Sequence, residues 1–510
     1  MDLFNSSDFS THVKKLMEIH HVPGLAIALV QNETIASAGY GLASIDPPKP
    51  CTADTLFDVG SCSKSMTAAS VGLLVDDNVN HPEVQWKAIM SRLLPGDFVM
   101  PGDGYTENVT VEDILSHRTG MPGHDDTLMS IRAEQPDDAE SVTRNLRNLP
   151  IVSPLRSKFI YNNIMYTVAS YLVEKKSGLA FSDFLQRHFF QPLGMISTNL
   201  QPELARAKGL DERMALGYRW DEVCKKYYVF RITDAPEEQG ATSIISSVND
   251  YIRYVKALMN HEGPITESIS KGLVESRSFE DPNAEQVGHL TSPAVYGAGL
   301  EVFYYRGYMV VNHDGKVPGF GSRHFFMPYL KFGGALFGNG DGGEVVASIL
   351  ARELIDAALK VPETERPDWS KIEFALEPYD YEVDNSEDLR QELCPGIKEV
   401  QLQKMPLSAY VGEYWNPGYR GMTVQVRNDK LFVDASDRSS WFTATFEHVC
   451  DQTKYLVYVS EGQTGSSSPS AFKAEFKVEN DKVIKMGLHL EENLDELIWF
   501  DRVGRIEKVF

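Results

Sequence analysis

Three short stretches of this 510-residue chain carry side chains whose types and spacing suit acyl chemistry. The first is "FDVGSCSKSMTA", Phe57 to Ala68, where Ser61 and Lys64 stand three residues apart. On a helix that spacing puts both side chains on one face. In a first turn, the Ser61 backbone N–H has no intrahelical acceptor and lies at the positive end of the helix dipole. Such a donor can hold an oxyanion, while the same field and burial disfavour an ammonium nearby. A buried, neutral Lys64 then takes the proton from Ser61 and makes it a nucleophile. The second stretch, "FIYNNIM", puts Tyr161 and Asn163 two apart, on one side of an extended segment. A phenol with an ordinary pKa of about 10 is a poor base alone, but beside an amine it relays a proton. In the third, "VVNHDGKVPGFGS", His313 follows an apolar run and Gly315 lets a substrate approach the backbone.

Spacing alone does not separate these readings from ordinary structure. The S-x-x-K pattern recurs at Ser268–Lys271 and Ser470–Lys473 in polar surroundings. A serine cap with a solvated lysine is the plain alternative for Ser61 and Lys64, as packing and capping are for Tyr161 and Asn163. His117 and His124 read as structural, with His124 and Asp125 also candidates for the mouth of a cleft.

Context favours chemistry. Residues 57–74, "FDVGSCSKSMTAASVGLL", closely resemble the nucleophile segment of serine β-lactamases and penicillin-binding proteins, in their class C and esterase branch. That family requires Y-x-N or S-x-N next, then K-T-G or H-x-G. Tyr161-Asn162-Asn163 and His313-Asp314-Gly315 supply them in order, and "LSHRTGMPGHD" resembles the segment between the first two. The resemblance spans about residues 10–358. It implies Ser61 as nucleophile, Lys64 and Tyr161 as proton carriers, and Asn163 and His313 as orienting groups. It also implies that Gly315 gives access and that the Lys316 N–H is the second oxyanion donor. Where β-lactamases usually carry Lys and Thr or Ser, this chain has His313 and Asp314. A mostly neutral imidazole beside an acid suits a substrate carboxylate poorly. The H-x-G form is typical of the family's esterases, D-aminopeptidases and acyltransferases. No acid can be assigned to deacylation in the class A manner.

The elements that must position these residues are readable in outline. "GLAIALV" and "ETIASAGYGLAS" read as a hairpin turning near Gln31-Asn32. Helices are expected from near Ser61 to Asp77, from Met165 to Lys176 with a stop at Gly178, and over "SDFLQRHFFQPLG", "VNDYIRYVKALMN" and Glu344–Lys360. Strands at both ends of some 350 residues, with helices between, give an α/β sandwich whose sheet is completed late in the chain. The resemblance specifies a β-lactamase/transpeptidase-like sandwich, an antiparallel sheet flanked by helices plus an all-helical subdomain. Residues 361–400 are Pro- and acid-rich and read as a linker or extended wrap. Beyond 400, short β-prone runs split by Asn428-Asp429 and Asn480-Asp481 suggest a small antiparallel barrel or sandwich, with "GSSSPS" (465–470) as a loop tip. "YVGEYWNPGYRGMTVQVRNDKLFV" resembles the start of the lipocalin-like barrel found behind some of these catalytic domains. The organisation expected is 1–360 hydrolase, 361–400 linker and 401–510 barrel.

Composition narrows the partners. A net charge of −23 disfavours nucleic acid and anionic membranes, and no run of about 18 apolar residues offers a membrane span. Five scattered cysteines without C-x-x-C fit reduced thiols, and with no visible signal peptide the expected address is cytoplasmic. No zinc spacing, G-x-S-x-G elbow or Walker loop exists, so neither metal nor cofactor is expected. "GNGDGG", Gly338 to Gly343, matches G-x-G-x-x-G between a strand and a helix, but no second strand carries an acid for a ribose. The expectation is a serine hydrolase or acyltransferase forming an acyl-Ser61 intermediate on an ester, amide, lactone or peptide. Its substrate is a small molecule or short peptide, and a homo-oligomer through the C-terminal domain is anticipated. The alternatives are a non-catalytic binding protein of the same fold and, more weakly, a dinucleotide-binding protein.

Overall fold

Gly24–Gln31 and Thr34–Ser44 form the expected hairpin, with Asn32 at φ 54° in its turn. The computed structural model describes residues 1–284, 287–376, 385–461 and 470–504. The hairpin enters a nine-stranded antiparallel sheet. In spatial order its strands are 49–50, 34–44, 24–31, 332–338, 320–327, 308–317, 301–305, 295–296 and 278–279. "GLAIALV" lacks polar alternation because both of its faces are covered. Leu25, Ile27 and Leu29 pack with Val13, Leu16, Val346 and Leu350, from helices Ser7–Ile19 and Gly343–Ala358. Ala26, Ala28 and Val30 belong to the opposite core, with Phe57, Met66, Met165 and Tyr251.

Helices Ser63–Asp76 and Ile164–Ser177 pack together in that second core and are buried nearly all round. Their hydroxyls are tolerated there because they donate to carbonyls: Ser70 to Met66 O at 2.8 Å and Thr67 to Gly240 O at 2.7 Å. Gly178 ends the second helix at φ 71°, as its position predicts. The helix expected over "SDFLQRHFFQPLG" runs as α only through Phe181–Leu185 and continues as a π-turn over Gln186–Phe190.

The Gly338–Gly343 loop is a packed turn, which removes the dinucleotide reading. The sheet around it is antiparallel, and the Asn339 side chain fills the turn. Its Oδ1 accepts from Gly24 N at 2.6 Å, and its Nδ2 donates to carbonyls of Leu42, Ala43 and Leu216.

The C-terminal strands close into an eight-stranded antiparallel barrel running from Gly412–Asn416 to Ile498–Val503. Asn428-Asp429 and Asn480-Asp481 have φ between 49° and 58°, the left-handed pair that tight hairpins need. Tyr410, Tyr414, Phe446, Tyr455 and Phe476 pack edge to face inside it. Residues 361–400, expected as linker, carry helices Trp369–Leu376 and Ser386–Leu393, with 377–384 outside the described residues. Apart from Ser470, the 465–470 patch also lies outside them. The expectation of five reduced thiols is corrected. Cys394, just after the second of these helices, is disulfide-bonded to Cys450 of the barrel, leaving Cys51, Cys62 and Cys224 free. Among the described residues no helix is long and apolar enough to cross a membrane, and no cluster of three or more His, Cys, Asp or Glu could hold a metal.

Candidate active site

The nucleophile turn is set by a short-range device. The Asp58 carboxylate accepts from Gly60 N at 2.8 Å, and Gly60 adopts φ 51°. A 3₁₀ turn over Gly60–Cys62 then feeds the helix that starts at Ser63, so Ser61 sits just before the α-helix and Lys64 in its first turn. Gly315 packs against this turn. A Cβ there would lie 2.2 Å from Val59 O and 3.1 Å from Ser61 N, and one on Gly60 would lie 3.0 Å from Lys316 N. The glycines thus let the two backbones bearing the expected oxyanion donors approach each other.

Lys64 is completely buried. Its Nζ lies 2.8 Å from Ser61 Oγ, 2.8 Å from Asn163 Oδ1 and 3.1 Å from Ala241 O. Burial lowers its pKa to about 7, opposed by the charges of Asp125 and Glu238. The Tyr161 ring centre is 4.8 Å from the same Nζ, and the residue is 37 % exposed. Desolvation raises its phenol well above the ordinary value, with the Ser61 side chain opposing. Asn163 turns its Nδ2 to Asp125, 3.3 Å from Oδ1 and 3.5 Å from Oδ2.

His313 stands behind this group, 2 % exposed. Its Nδ1 donates to Asp314 O at 2.6 Å, so Nε2 accepts from the Tyr296 hydroxyl at 2.8 Å. Burial, with the Lys64 charge, pushes its pKa down to about 3, which keeps the imidazole neutral. It therefore supports the wall behind the site and does not face a substrate. Asp314 is engaged by Arg323 Nη2 at 2.7 Å across the strand pair. The Lys316 side chain points out to Glu344 at 3.8 Å, leaving only its backbone at the turn. His117 packs 4.3 Å from the Tyr161 ring centre and accepts from Asn162 N, a structural place as expected. Lys271 pairs with Glu267 and Lys473 with Glu392, so both spare S-x-x-K lysines serve exposed ion pairs.

The structure brings Ser61, Lys64, Tyr161 and Asn163 together, lays Gly315 and the Lys316 backbone beside them, and sets His313 one layer back. Sequence reasoning missed four contributors. Ala241 acts through its carbonyl and carries no side-chain signal. Tyr296 stands behind the site, where it donates to His313 and packs against His117, and its position 135 residues beyond Tyr161 gives no local signal. Asp125 was legible in "MPGHD" as a cleft-mouth residue but not as the partner of Asn163. Glu491 comes from the barrel, where its Oε2 accepts from His124 N at 2.9 Å.

A model described as beta-lactamase matches residues 9–359, and one described as a domain of unknown function, DUF3471, matches residues 398–502. A protein named unguisins hydrolase ungD from Aspergillus violaceofuscus is 34 % identical, covering 98 % of this chain and 91 % of its own. A D-aminopeptidase from Brucella anthropi is 24 % identical over 72 % of this chain and 65 % of its own. Among solved structures, an octameric penicillin-binding protein homologue from Pyrococcus abyssi superposes with a TM-score of 0.61 at 18 % identity, covering 98 % of this chain and all of that one. The match over residues 9–359, with the buried helix-borne lysine beside Ser61 inside it, places the chain in the beta-lactamase family.

Proposed function

We propose that this protein is a hydrolase that cleaves peptide or amide bonds through an acyl-Ser61 intermediate. The observation that carries the reading is the set of three contacts to the Lys64 amine. A neutral amine has two N–H donors and one lone pair. Asn163 Oδ1 and Ala241 O take the two donors, which leaves the lone pair for the Ser61 O–H at 2.8 Å. Lys64 then removes that proton as Ser61 Oγ bonds to the substrate carbonyl carbon. The N–H groups of Ser61 and Lys316 receive the oxyanion. The Tyr161 phenol, whose pKa is raised, stays protonated and serves as a donor. It hands its proton to the leaving amine and takes one back from the Lys64 ammonium. The C–N bond breaks, and water, activated by the same lysine, hydrolyses the ester on Ser61.

The amide preference is supported by the names of two relatives, a hydrolase of unguisins and a D-aminopeptidase. A neutral His313 where β-lactamases carry a cation weighs against β-lactams. A fluorophosphonate probe should label Ser61 in the wild type and not in Ser61→Ala. A panel of D-amino-acid amides, unguisins, p-nitrophenyl esters and a chromogenic cephalosporin should show its highest kcat/KM on an amide. Turnover by Ser61→Ala equal to wild type would overturn the reading.

A further inference from the structure

Lys64 needs its lone pair free, and the Asn163 amide decides whether it is. With Oδ1 toward Nζ, Asn163 accepts an N–H and leaves the lone pair to Ser61. Turned by half a rotation, the same side chain would present Nδ2–H to Nζ and compete with the serine proton. Asp125 is the group that selects the productive orientation, because a carboxylate accepts only from the nitrogen end of the amide. Asp125 in turn sits on a segment fastened by the barrel. Glu491 Oε2 accepts from His124 N at 2.9 Å, and the Tyr419 hydroxyl donates to His124 Nδ1 at 2.6 Å while Nε2 donates to Pro150 O at 2.9 Å. His124 itself adopts φ 51°, a conformation that non-glycine residues hold only where the surroundings fix it. Gly123 lies between the two acids: a Cβ there would be 3.4 Å from Asp125 Oδ2 and 3.9 Å from Glu491 Oε2.

We propose that Asp125 is a positioning residue for the catalytic lysine, and that Glu491 of the barrel holds it in place. The C-terminal barrel is then a working part of the active site: its Glu491 acts through His124, Asp125 and Asn163 on the Lys64 amine. This inference rests on the acyl-Ser61 reading above.

The test is the rate of fluorophosphonate labelling of the full-length protein at Ser61, measured from pH 5 to 9. The groups facing Lys64 are Asp125, Glu238, Tyr161, Tyr166, Cys62, His117 and His313. Removing the Asp125 charge lets Lys64 lose its proton more readily, so its titration moves to lower pH. Asp125→Ala should therefore label about tenfold more slowly at its plateau, with the acidic limb displaced downward in pH. Asp125→Asn retains an acceptor, so it should show the displaced limb with a smaller loss of rate. Glu491→Gln keeps an oxygen for the His124 N–H and should label like wild type, whereas Glu491→Ala should lose about three- to tenfold. This rescue by the isostere separates positioning from mere folding, and thermal unfolding run in parallel shows that each variant is native. Native Asp125→Ala and Glu491→Ala proteins with wild-type rates and limbs would overturn the inference alone. A wild type that fails to label at Ser61 would overturn the acyl-serine reading, and this inference with it.

Discussion

Ser61 Oγ and Lys64 Nζ lie 2.8 Å apart at a point where the lysine has no exposure to solvent. Burial brings that amine to about pKa 7. In the unfolded chain the lysine keeps its proton to much higher pH, at about 10.4. Activity on any substrate should rise with pH through about 7 as Lys64 loses its proton, measured as kcat/KM at constant ionic strength. Lys64→Arg, whose guanidinium does not deprotonate, should lose about a thousandfold or more at every pH. An Arg variant with substantial activity would remove the lysine from the role of base.

The same burial affects stability. Below about pH 7 the fold must hold a charged ammonium in its core, and that cost falls away as pH rises toward the unfolded value. Lys64→Met, similar in length and uncharged, should be inactive yet unfold a few degrees higher than wild type at pH 6. The gap should narrow by pH 9. Differential scanning calorimetry at the two pH values checks both statements, and a lower Tm for the variant at pH 6 would contradict them.

Gly315 is expected to tolerate no side chain. A Cβ there meets backbone at 2.2 Å, against Val59 O, which no rotamer change can relieve. Gly315→Ala must push the nucleophile turn away from the strand carrying Lys316. We expect kcat to fall by about 10²–10³, the scale of losing an oxyanion donor, with KM changed less. Wild-type kcat in this variant would mean that the two backbones do not cooperate in the reaction.

These sites differ in how far the sequence displays them. Ser61 and Lys64 are three residues apart, so one helical turn makes them neighbours whatever the rest of the chain does. The barrel was legible for a similar reason: Asn428-Asp429 and Asn480-Asp481 carry their turn geometry locally. Glu491 is hidden because it lies 367 residues from its partner His124 and resembles many surface acids. The Ala241 carbonyl belongs to a group that every residue carries, so side-chain patterns say nothing about it. The Cys394–Cys450 bond was obscured because Cys394 ends a stretch without clear periodicity and lies 56 residues from its partner. The glycine loop at Gly338–Gly343 is ambiguous in its residues alone, since a tight strand-to-helix turn and a phosphate loop demand the same ones, and only the lack of a second strand with an acid told them apart.

The disulfide gives a direct count. In the native protein only Cys224 is exposed, while Cys51 and Cys62 are buried and free. Ellman's reagent should titrate one thiol in the native state, three after denaturation without reductant, and all five after reduction. Replacing Cys394 and Cys450 together by Ala should lower the barrel's stability by about 2–5 kcal/mol. Five thiols in the unreduced denatured protein would disprove the bond.

Glu237 tests the contact between the two domains. Its side chain is fully buried where the barrel docks, and one oxygen accepts from the Ser439 hydroxyl while the other has no partner among the described residues. Burial raises its pKa to about 7. The native state thus holds this proton more tightly than the unfolded chain. Its contribution is fully present below the ordinary carboxylate range and is lost as pH climbs to about 7. Neighbouring Glu238, raised to about 8 by burial and by the Glu237 charge, acts in the same direction. The Glu237 part of wild-type stability should therefore decline from pH 5 to pH 8, read as the difference in Tm from a variant without this carboxyl. Glu237→Gln keeps the acceptor for Ser439 and removes the charge, so it should match wild type at pH 5 and exceed it at pH 8 by a few degrees. Because Glu238, Lys64 and His313 are unchanged in that variant, their own pH dependences cancel in the difference between the two profiles. Parallel Tm profiles for the two proteins would show that Glu237 is ionised in the native interface even at pH 5, and that the Ser439 contact is made to a carboxylate.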